Sequence, residues 1–261
     1  MQFDELIKES IRIYLNFQGL DCLVNPSIPI LFFGDSQKYF TSGLKVVTVG
    51  LNPSSMEFPD DGFLRFREVG SVYHEILEGK HFDKYLSALN NYFKREPYSW
   101  FEKSFEHILH GMGASYYDFC ENIALHTDLC SPLATKKTWT DLAHENKDLA
   151  DKLLGDGIGL WHNLIRFLNP DVIVVSVRKD YFNRIENVSE KKPLFEIRKK
   201  VDGAPRKKPY CVEMWNIKIA EGKISRLILG KTVNIPFGSV STKDKELIGR
   251  EIQRIMLEET N

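Results

Sequence analysis

The run Val172-Ile173-Val174-Val175-Ser176-Val177 constrains the fold more than any other part of this chain. Its apolar, β-branched residues follow one another without alternation, which predicts a strand buried on both faces. An amphipathic helical pattern over residues 153–167 precedes it, and Pro170-Asp171 separates the two. A helix leading directly into a doubly buried strand is typical of a parallel crossover. The sequence therefore predicts an α/β fold.

Helical and strand-like patterns alternate along the rest of the chain. We expect helices over residues 3–17, 73–92, 100–110 and 243–259. We expect strands over residues 30–33, 45–49, 122–129 and 232–236, and a hairpin of residues 210–220 and 223–229 around Glu221-Gly222. This alternation predicts a three-layer α/β/α sandwich with a mainly parallel central sheet.

The length of 261 residues is compatible with one such domain or with two smaller ones. Because the sequence has neither internal repeats nor a low-complexity linker, we predict a single domain over residues 1–261. Its first 25 residues or so would form an N-terminal helical extension.

Composition argues against several classes of protein. The apolar fraction of 43% and the charged fraction of 27% are ordinary for a globular protein, and the sequence has no apolar run long enough for a membrane span. The N-terminus lacks the layout of a signal peptide, so we expect a cytoplasmic protein without a membrane partner. The four cysteines are scattered and the seven histidines have no metal-binding spacing, which predicts reduced thiols and no metal.

The formal net charge is −1, so binding of a nucleic acid would have to come from a local patch. The segment 191–208 is such a patch, with eight basic residues against Glu196 and Asp202. Its prolines and glycine favour a solvated surface loop. Its charge favours contacts with a phosphate backbone, for which the candidates are Lys199, Lys200, Lys207 and Lys208.

The segment Lys45–Ser55 places a chemically useful residue at the end of a buried strand. Val46, Val47 and Val49 predict the strand, and Gly50-Leu51-Asn52-Pro53-Ser54 ends it. Asn52 would then lie at the carboxyl end of a central strand, where open α/β sheets bind their ligands. The simpler interpretation is a turn, because Asn and Pro are common turn residues.

Two further loops favour the interpretation of the segment around Asn52 as part of a functional site. The predicted strand over residues 122–129 ends in a polar loop at Asp128 to Thr135, and the last predicted strand ends in Pro236 to Ser241. If these strands are parallel to the first, all three loops converge at one edge of the sheet.

This arrangement resembles the uracil-DNA glycosylase superfamily over roughly residues 45–245. Gly50-Leu51-Asn52-Pro53-Ser54 is similar to the Gly-Ile-Asn-Pro-Gly motif of the mismatch-specific branch. Gly62-Phe63-Leu64-Arg65-Phe66 stands near the offset of that branch's Gly-Phe-Pro-Phe. Residues 125–129 resemble the strand that supplies the base-reading Asn in several branches, and residues 235–239 resemble a divergent second motif.

The resemblance implies a glycosylase of base excision repair that hydrolyses the N-glycosidic bond of a base extruded from DNA, without a cofactor. By analogy, Asn52 is the catalytic residue that positions a water molecule. Phe66, or alternatively Phe63, would stack on the extruded base, and Asp128 would read its edge. Ser54, Gly238 and Ser239 would line the base-binding site, and Arg65 would contact a phosphate or be an ordinary surface charge.

The sequence departs from the family pattern at three places. Ser54 replaces a Gly, and Phe237-Gly238 stands where some branches have His-Pro. Asp128 stands where an Asn would read uracil, unless a shifted register places His126 or Thr127 there. Since an ionised carboxylate only accepts hydrogen bonds, Asp128 suits a base edge that presents donors and argues against uracil specificity.

Two other functions remain open at this stage. The altered motifs are compatible with a non-catalytic nucleic-acid-binding module of the same fold. The lack of overall positive charge is compatible with an enzyme that acts on a free nucleoside or nucleotide.

Overall fold

A computed structural model describes residues 3–59, 62–233 and 235–260 of the chain. The α-helices are α1 (Phe3–Phe17), α2 (Ser36–Thr41), α3 (Arg67–Gly70), α4 (Tyr73–Leu77), α5 (Phe82–Asn90), α6 (His107–Gly111), α7 (Trp139–Glu145), α8 (Lys147–Leu168), α9 (Lys179–Phe182) and α10 (Thr242–Thr260). Short 3₁₀ helices cover Ser55–Glu57, Leu64–Phe66 and Tyr92–Lys94, and a π-helix covers Glu102–Glu106.

The strands are β1 (Val46–Gly50), β2 (Ala114–Ser115), β3 (Asn122–Ile123), β4 (Leu125–Asp128), β5 (Val172–Val175), β6 (Val188–Lys199), β7 (Pro205–Ala220), β8 (Lys223–Leu229), β9 (Thr232–Val233) and β10 (Ile235–Pro236). A six-stranded sheet has the order β4-β1-β5-β8-β7-β6. The pairs β2–β3 and β9–β10 form two small sheets.

Most strands of this sheet run in the same direction. β5 pairs in parallel with β1 and with β8, aligning Ile173 with Val47 and with Leu227. β7 is antiparallel to both β8 and β6, so β1, β5, β8 and β6 all run in one direction. β1 and β5 are buried along their whole length, as expected for strands covered on both faces. The predicted α/β class with a mainly parallel sheet is confirmed.

The chain divides into two compact units that interleave along the sequence. The first unit contains the segment up to Gln37, Gly50–Tyr98 and Leu125–Asn169. The second contains Lys38–Val49, Ser99–Ala124 and the segment from Pro170 onward. The single domain predicted from the sequence stays a prediction.

The first unit has a core formed by helices α1 and α8. The ring of Phe3 stacks on Phe167 of α8 with centroids 4.7 Å apart, and on Phe32 at 5.6 Å. Trp161 of α8 is buried and donates a hydrogen bond of 3.1 Å from Nε1 to Oγ1 of Thr127 in β4. The N-terminal helix is therefore packed into this unit through its apolar face.

In the second unit, helices α6 and α10 cross at a point where each of them has a glycine. A Cβ atom on Gly111 would lie 2.2 Å from the carbonyl oxygen of Glu246, and one on Gly249 would lie 2.1 Å from that of Ile108. The two backbones approach so closely that side chains larger than hydrogen do not fit. Nearby, the buried Lys245 donates from Nζ to the carbonyl oxygen of Lys103 in the π-helix, at 2.7 Å.

Several boundaries predicted from the sequence differ from the structure. Residues 30–33 are buried but do not form a strand; Phe33 makes an isolated bridge with His126. The helix predicted over residues 73–92 is divided into α4 and α5, because Gly79 and His81 adopt left-handed conformations with φ of 83° and 54°. The strand predicted over residues 122–129 is interrupted at Ala124.

The interpretation of the basic segment as a loop is wrong. Residues 188–199 and 205–220 form the antiparallel strands β6 and β7, joined by a short turn. Pro193 is tolerated because β6 is the edge strand of the sheet, where a missing donor breaks no inner ladder. The register shifts between the pairs Ile197–Tyr210 and Lys199–Pro205, so this part of β7 deviates from the ladder.

Helix α8 offers a direct test of the packing in the first unit. A Cβ atom on Gly157 would lie 2.0 Å from the carbonyl oxygen of Cys130, so we expect Gly157→Ala to lower the free energy of unfolding by about 1–3 kcal/mol or more. Gly155→Ala and Gly159→Ala are controls in the same helix, since a Cβ atom there meets nothing within 4 Å. Each control should raise stability by about 0.5–1 kcal/mol. Urea denaturation measures both effects, and a neutral Gly157→Ala would contradict this packing.

Candidate active site at the carboxyl ends of two strands

The sheet has a topological switch point at β1. Along the chain, β1 is followed by β4, which lies on one side of it, and then by β5, which lies on the other. Open α/β sheets bind ligands outside the carboxyl ends of strands at such a point. The residues that follow β1 therefore border this point, and the loop that follows β4 lies beside them.

The loops that follow β1 and β4 run side by side within the first unit. The amide of Leu129 donates to the carbonyl oxygen of Gly50 at 3.1 Å, and that of Cys130 donates to Leu51 at 2.7 Å. Further along, the amide of Thr135 donates to Pro53 at 3.2 Å. Two of the three strand-end loops predicted to converge therefore contact each other directly.

The side chain of Asn52 has a fixed orientation. Its Nδ2 donates to the carbonyl oxygen of Pro53 at 2.7 Å and to Oγ1 of Thr135 at 2.8 Å, while Thr135 donates its own proton to the carbonyl oxygen of Lys137. Because the oxygen of Pro53 can only accept, the nitrogen of the Asn52 amide must face it. The Asn52 oxygen, Oδ1, accepts no hydrogen bond from any residue that the structure describes, and the residue is partly exposed.

Asp128 and His126 lie directly over the backbone of Gly50. A Cβ atom on Gly50 would be 2.5 Å from Oδ1 of Asp128 and 2.9 Å from Nε2 of His126. The two side chains are 3.7 Å apart between the same atoms, and 4% and 2% exposed respectively. A side chain at position 50 would therefore have to displace Asp128 and His126 from their present positions. The carboxylate and the imidazole form a nearly buried pair at the end of β4.

Glu57 is a residue of this region that the sequence did not single out. It lies in the 3₁₀ helix that follows Asn52-Pro53, and it is 3% exposed. Burial raises the pKa of its carboxyl group to about 8, and the nearby Asp128 adds to the rise. A hydrogen bond from the Tyr92 hydroxyl and the charge of Arg65 act in the opposite direction. At neutral pH Glu57 is therefore mainly protonated.

The two polar residues predicted near Asn52 have structural partners. Ser54 accepts a hydrogen bond of 3.1 Å from the amide of Met56, so it caps the 3₁₀ helix that carries Glu57. Arg65 donates to the carbonyl oxygens of Met56 at 2.6 Å and of Glu96 at 2.7 Å. These bonds hold the 3₁₀ helix in place, and they use two of the five N–H donors of the guanidinium group that was assigned to a DNA phosphate.

The two candidate stacking residues lie in different environments. Phe66 is fully buried, with its ring packed on Phe58 at 5.2 Å and on Tyr92 at 5.6 Å between centroids. Its position is that of a core residue, which does not suit the predicted role of stacking on a base. Phe63 is only half-buried and contacts the ring of Tyr73 at 5.1 Å. Phe63 is the better placed of the two for a ligand.

Gly238 and Ser239 belong to the second unit. Phe237 adopts a positive φ of 52°, and its ring is buried against Tyr210 and Phe105. The exposed Gly238 donates its amide to the carbonyl oxygen of Ile235 at 3.0 Å, so that amide is already bonded within the turn. The carbonyl oxygen of Ser239 accepts from Arg206.

The tip of the β6–β7 hairpin, also in the second unit, carries a concentration of positive charge. Four exposed lysines there make no ion pair with any residue in the described part of the chain: Lys199, Lys200, Lys207 and Lys208. An open cavity of about 560 Å³ beside them is lined by Lys200, Val201, Asp202, Arg206 and Ser239. Unpaired ammonium groups at the end of a long hairpin are suited to binding anions.

Within the described ranges, no three His, Cys, Asp or Glu side chains are grouped so that they could hold a metal ion. The helices of those ranges include none that is both long and apolar enough to span a membrane. Comparison of the chain with protein-family models, curated proteins and solved structures found no match.

The protonation of Glu57 has a measurable effect on stability. Its pKa rises from 4.5 to about 8 on folding, so the folded state holds one more proton between these values. Stability from this group is fully present below pH 4.5 and is lost as the pH rises towards 8. Because Glu57→Gln removes the titration, its free energy of unfolding should increase relative to the wild type by about 1.4 kcal/mol per pH unit in this window.

Urea denaturation at three pH values between 5 and 8 would measure the difference between Glu57→Gln and the wild type. Glu121→Gln, at an exposed position, is the matched control and should show no such trend. A constant difference across the window would contradict a protonated Glu57.

Proposed function

We propose that this chain is a DNA glycosylase of the uracil-DNA glycosylase-like type, with a three-layer α/β/α sandwich, which hydrolyses the N-glycosidic bond of an altered or mispaired base. The observation that carries the proposal is the geometry of Asn52. Its amide nitrogen is bonded to Pro53 and Thr135, and its oxygen accepts no hydrogen bond from the described residues. The Asp128–His126 pair lies against Gly50, two residues earlier in the chain. This arrangement adds to the ordered motifs that resemble the glycosylase family.

The proposed role of Asn52 is to orient a water molecule. An amide does not titrate near neutrality, so Asn52 does not act as a general base. Its oxygen accepts one hydrogen bond from the water and thereby directs a lone pair of that water towards the anomeric carbon of the sugar. The two hydrogen bonds to its nitrogen keep the oxygen in one orientation, so the contribution to the rate is positional.

Asp128 is proposed to read the base. Its carboxyl oxygens accept hydrogen bonds from N–H groups on the edge of an extruded base, and Nε2 of His126 lies 3.7 Å from Oδ1 of Asp128. Phe63 is proposed to contact the face of the base in place of Phe66, because Phe63 is partly exposed.

The hairpin tip is proposed to contact the DNA backbone. Four lysines without ion-pair partners within the described ranges supply a local positive charge that the overall charge of −1 does not reveal. Contacts of this kind position a protein on DNA without reading its sequence. They support DNA over a free nucleoside as the substrate.

Cleavage assays test the catalytic part of the proposal. Duplex oligonucleotides that carry uracil, mispaired thymine or hypoxanthine are incubated with the protein, and abasic product is measured under single-turnover conditions. Because the positioned water is lost, Asn52→Ala should lower the rate by about 100-fold or more. Asn183→Ala, at an exposed position in the second unit, is the control and should keep the wild-type rate.

Absence of product from every substrate, or product at an undiminished rate with Asn52→Ala, would contradict the proposed activity. Binding to DNA without cleavage would instead favour the nucleic-acid-binding module.

Salt-dependent binding tests the role of the hairpin. Replacing Lys199, Lys200, Lys207 and Lys208 with Ala should weaken DNA binding for all sequences and reduce the slope of log K against log salt by about 3–4. The charge-matched control replaces four exposed lysines elsewhere, namely Lys8, Lys84, Lys147 and Lys243. Fluorescence anisotropy at several salt concentrations measures both variants, and equal slopes would contradict the assignment.

A further inference from the structure

Glu57 has the environment of a neutral carboxylic acid on geometric grounds alone. It is almost fully buried, and no cation within the described ranges forms an ion pair with it. Arg65, whose charge acts on Glu57, uses two N–H groups of its guanidinium to donate to the carbonyl oxygens of Met56 and Glu96. A buried carboxyl group without an ionic partner is stable only when it keeps its proton.

The O–H group of the protonated Glu57 side chain has no hydrogen-bond acceptor among the described residues. The Tyr92 hydroxyl donates to Oε2 of Glu57, so the acidic proton is on the other oxygen, Oε1. Oε1 has no hydrogen-bond partner among the described residues. The segment after Asn52-Pro53 therefore presents an O–H donor for which the described residues supply no acceptor.

The charged neighbours of Glu57 include the proposed base-reading residue. Tyr92, Arg65 and Asp128 are the titratable groups that act on it, and the carboxylate of Asp128 disfavours a second negative charge at this place. Two carboxyl groups held in different environments can supply both a hydrogen-bond donor and an acceptor in one site.

We propose that Glu57 is a specificity-determining residue of this site, which donates a hydrogen bond from its neutral carboxyl group to an acceptor on the base while Asp128 accepts one from the adjacent N–H. This inference rests on the proposed glycosylase function. Together the two groups match a lactam edge, in which a carbonyl oxygen lies next to an N–H. Uracil, thymine and hypoxanthine all present such an edge. A carbonyl oxygen of the base and the carboxylate of Asp128 are both hydrogen-bond acceptors and cannot bond to each other. The O–H group of Glu57 gives that carbonyl oxygen a donor.

The pH dependence of cleavage tests this role. On whichever of the uracil, mispaired-thymine and hypoxanthine duplexes the wild type cleaves fastest, its single-turnover rate should fall about tenfold per pH unit above pH 8, where Glu57 loses its proton. Glu57→Gln keeps an N–H donor and cannot ionise. Its rate should stay within about tenfold of the wild type at pH 7 and should not fall at alkaline pH. Measuring both proteins on one duplex cancels any titration of the DNA.

Two further variants separate this role from a structural one. Glu57→Ala removes the donor and should lower the rate at pH 7 by about 100-fold or more, with its folding checked by circular dichroism. Tyr92→Phe removes a hydrogen bond that lowers the pKa of Glu57, so the alkaline fall in rate should move to higher pH. A residue that only packs in the core would not move the pH profile.

The outcomes are distinguishable. An active wild type whose alkaline profile is unchanged by Glu57→Gln would overturn the role of Glu57 and leave the glycosylase function standing. A wild type that cleaves no duplex would overturn the glycosylase function, and the role of Glu57 with it. An alkaline fall that is present in the wild type, absent in Glu57→Gln and shifted in Tyr92→Phe would support both.

Discussion

The pairing of the two loops that follow β1 and β4 is the interaction on which the candidate site depends. Three backbone hydrogen bonds connect residues 50, 51 and 53 with residues 129, 130 and 135. They satisfy backbone groups that would otherwise be unpaired where the strands end, and they fix the register of the two loops. Asn52 is anchored through Thr135 of the opposite loop, so the orientation of its side chain is a consequence of this pairing.

The same pairing also brings the backbone of Gly50 close to the side chains of β4. The side chains of Asp128 and His126 lie within 3 Å of where a Cβ atom of residue 50 would be, so glycine at the start of the first motif lets them occupy this position. Helix α8 packs on the opposite loop in the same manner, through Gly157 against Cys130. Gly50 thus allows close contact with the side chains of Asp128 and His126, and Gly157 allows close contact with the backbone of Cys130.

Sequence patterns predicted the parts of this structure that depend on local chemistry. The β-branched runs identified β1 and β5, and Asn52 was correctly placed at the end of a strand because Gly and Pro flank it.

Burial, in contrast, depends on residues far apart in sequence. Phe66 is enclosed by Phe58 and Tyr92, so its exposure could not be read from its own motif. Glu57 was missed for the same reason, although its apolar neighbours Met56 and Phe58 were a weak signal. The basic segment forms a hairpin despite its prolines, because Pro193 lies in the edge strand β6 and the part of β7 that holds Pro205 and Pro209 pairs with β6 but not with β8.

The central claim is that Asn52 holds its side-chain oxygen free to bind the attacking water. A high-resolution crystal structure of the wild-type protein tests it most directly. The account predicts an ordered water about 2.8 Å from Oδ1 of Asn52, with the amide nitrogen facing the carbonyl oxygen of Pro53. An Asn52 side chain that has left Pro53 and Thr135, or a protein group bonded to Oδ1 in place of the water, would contradict it.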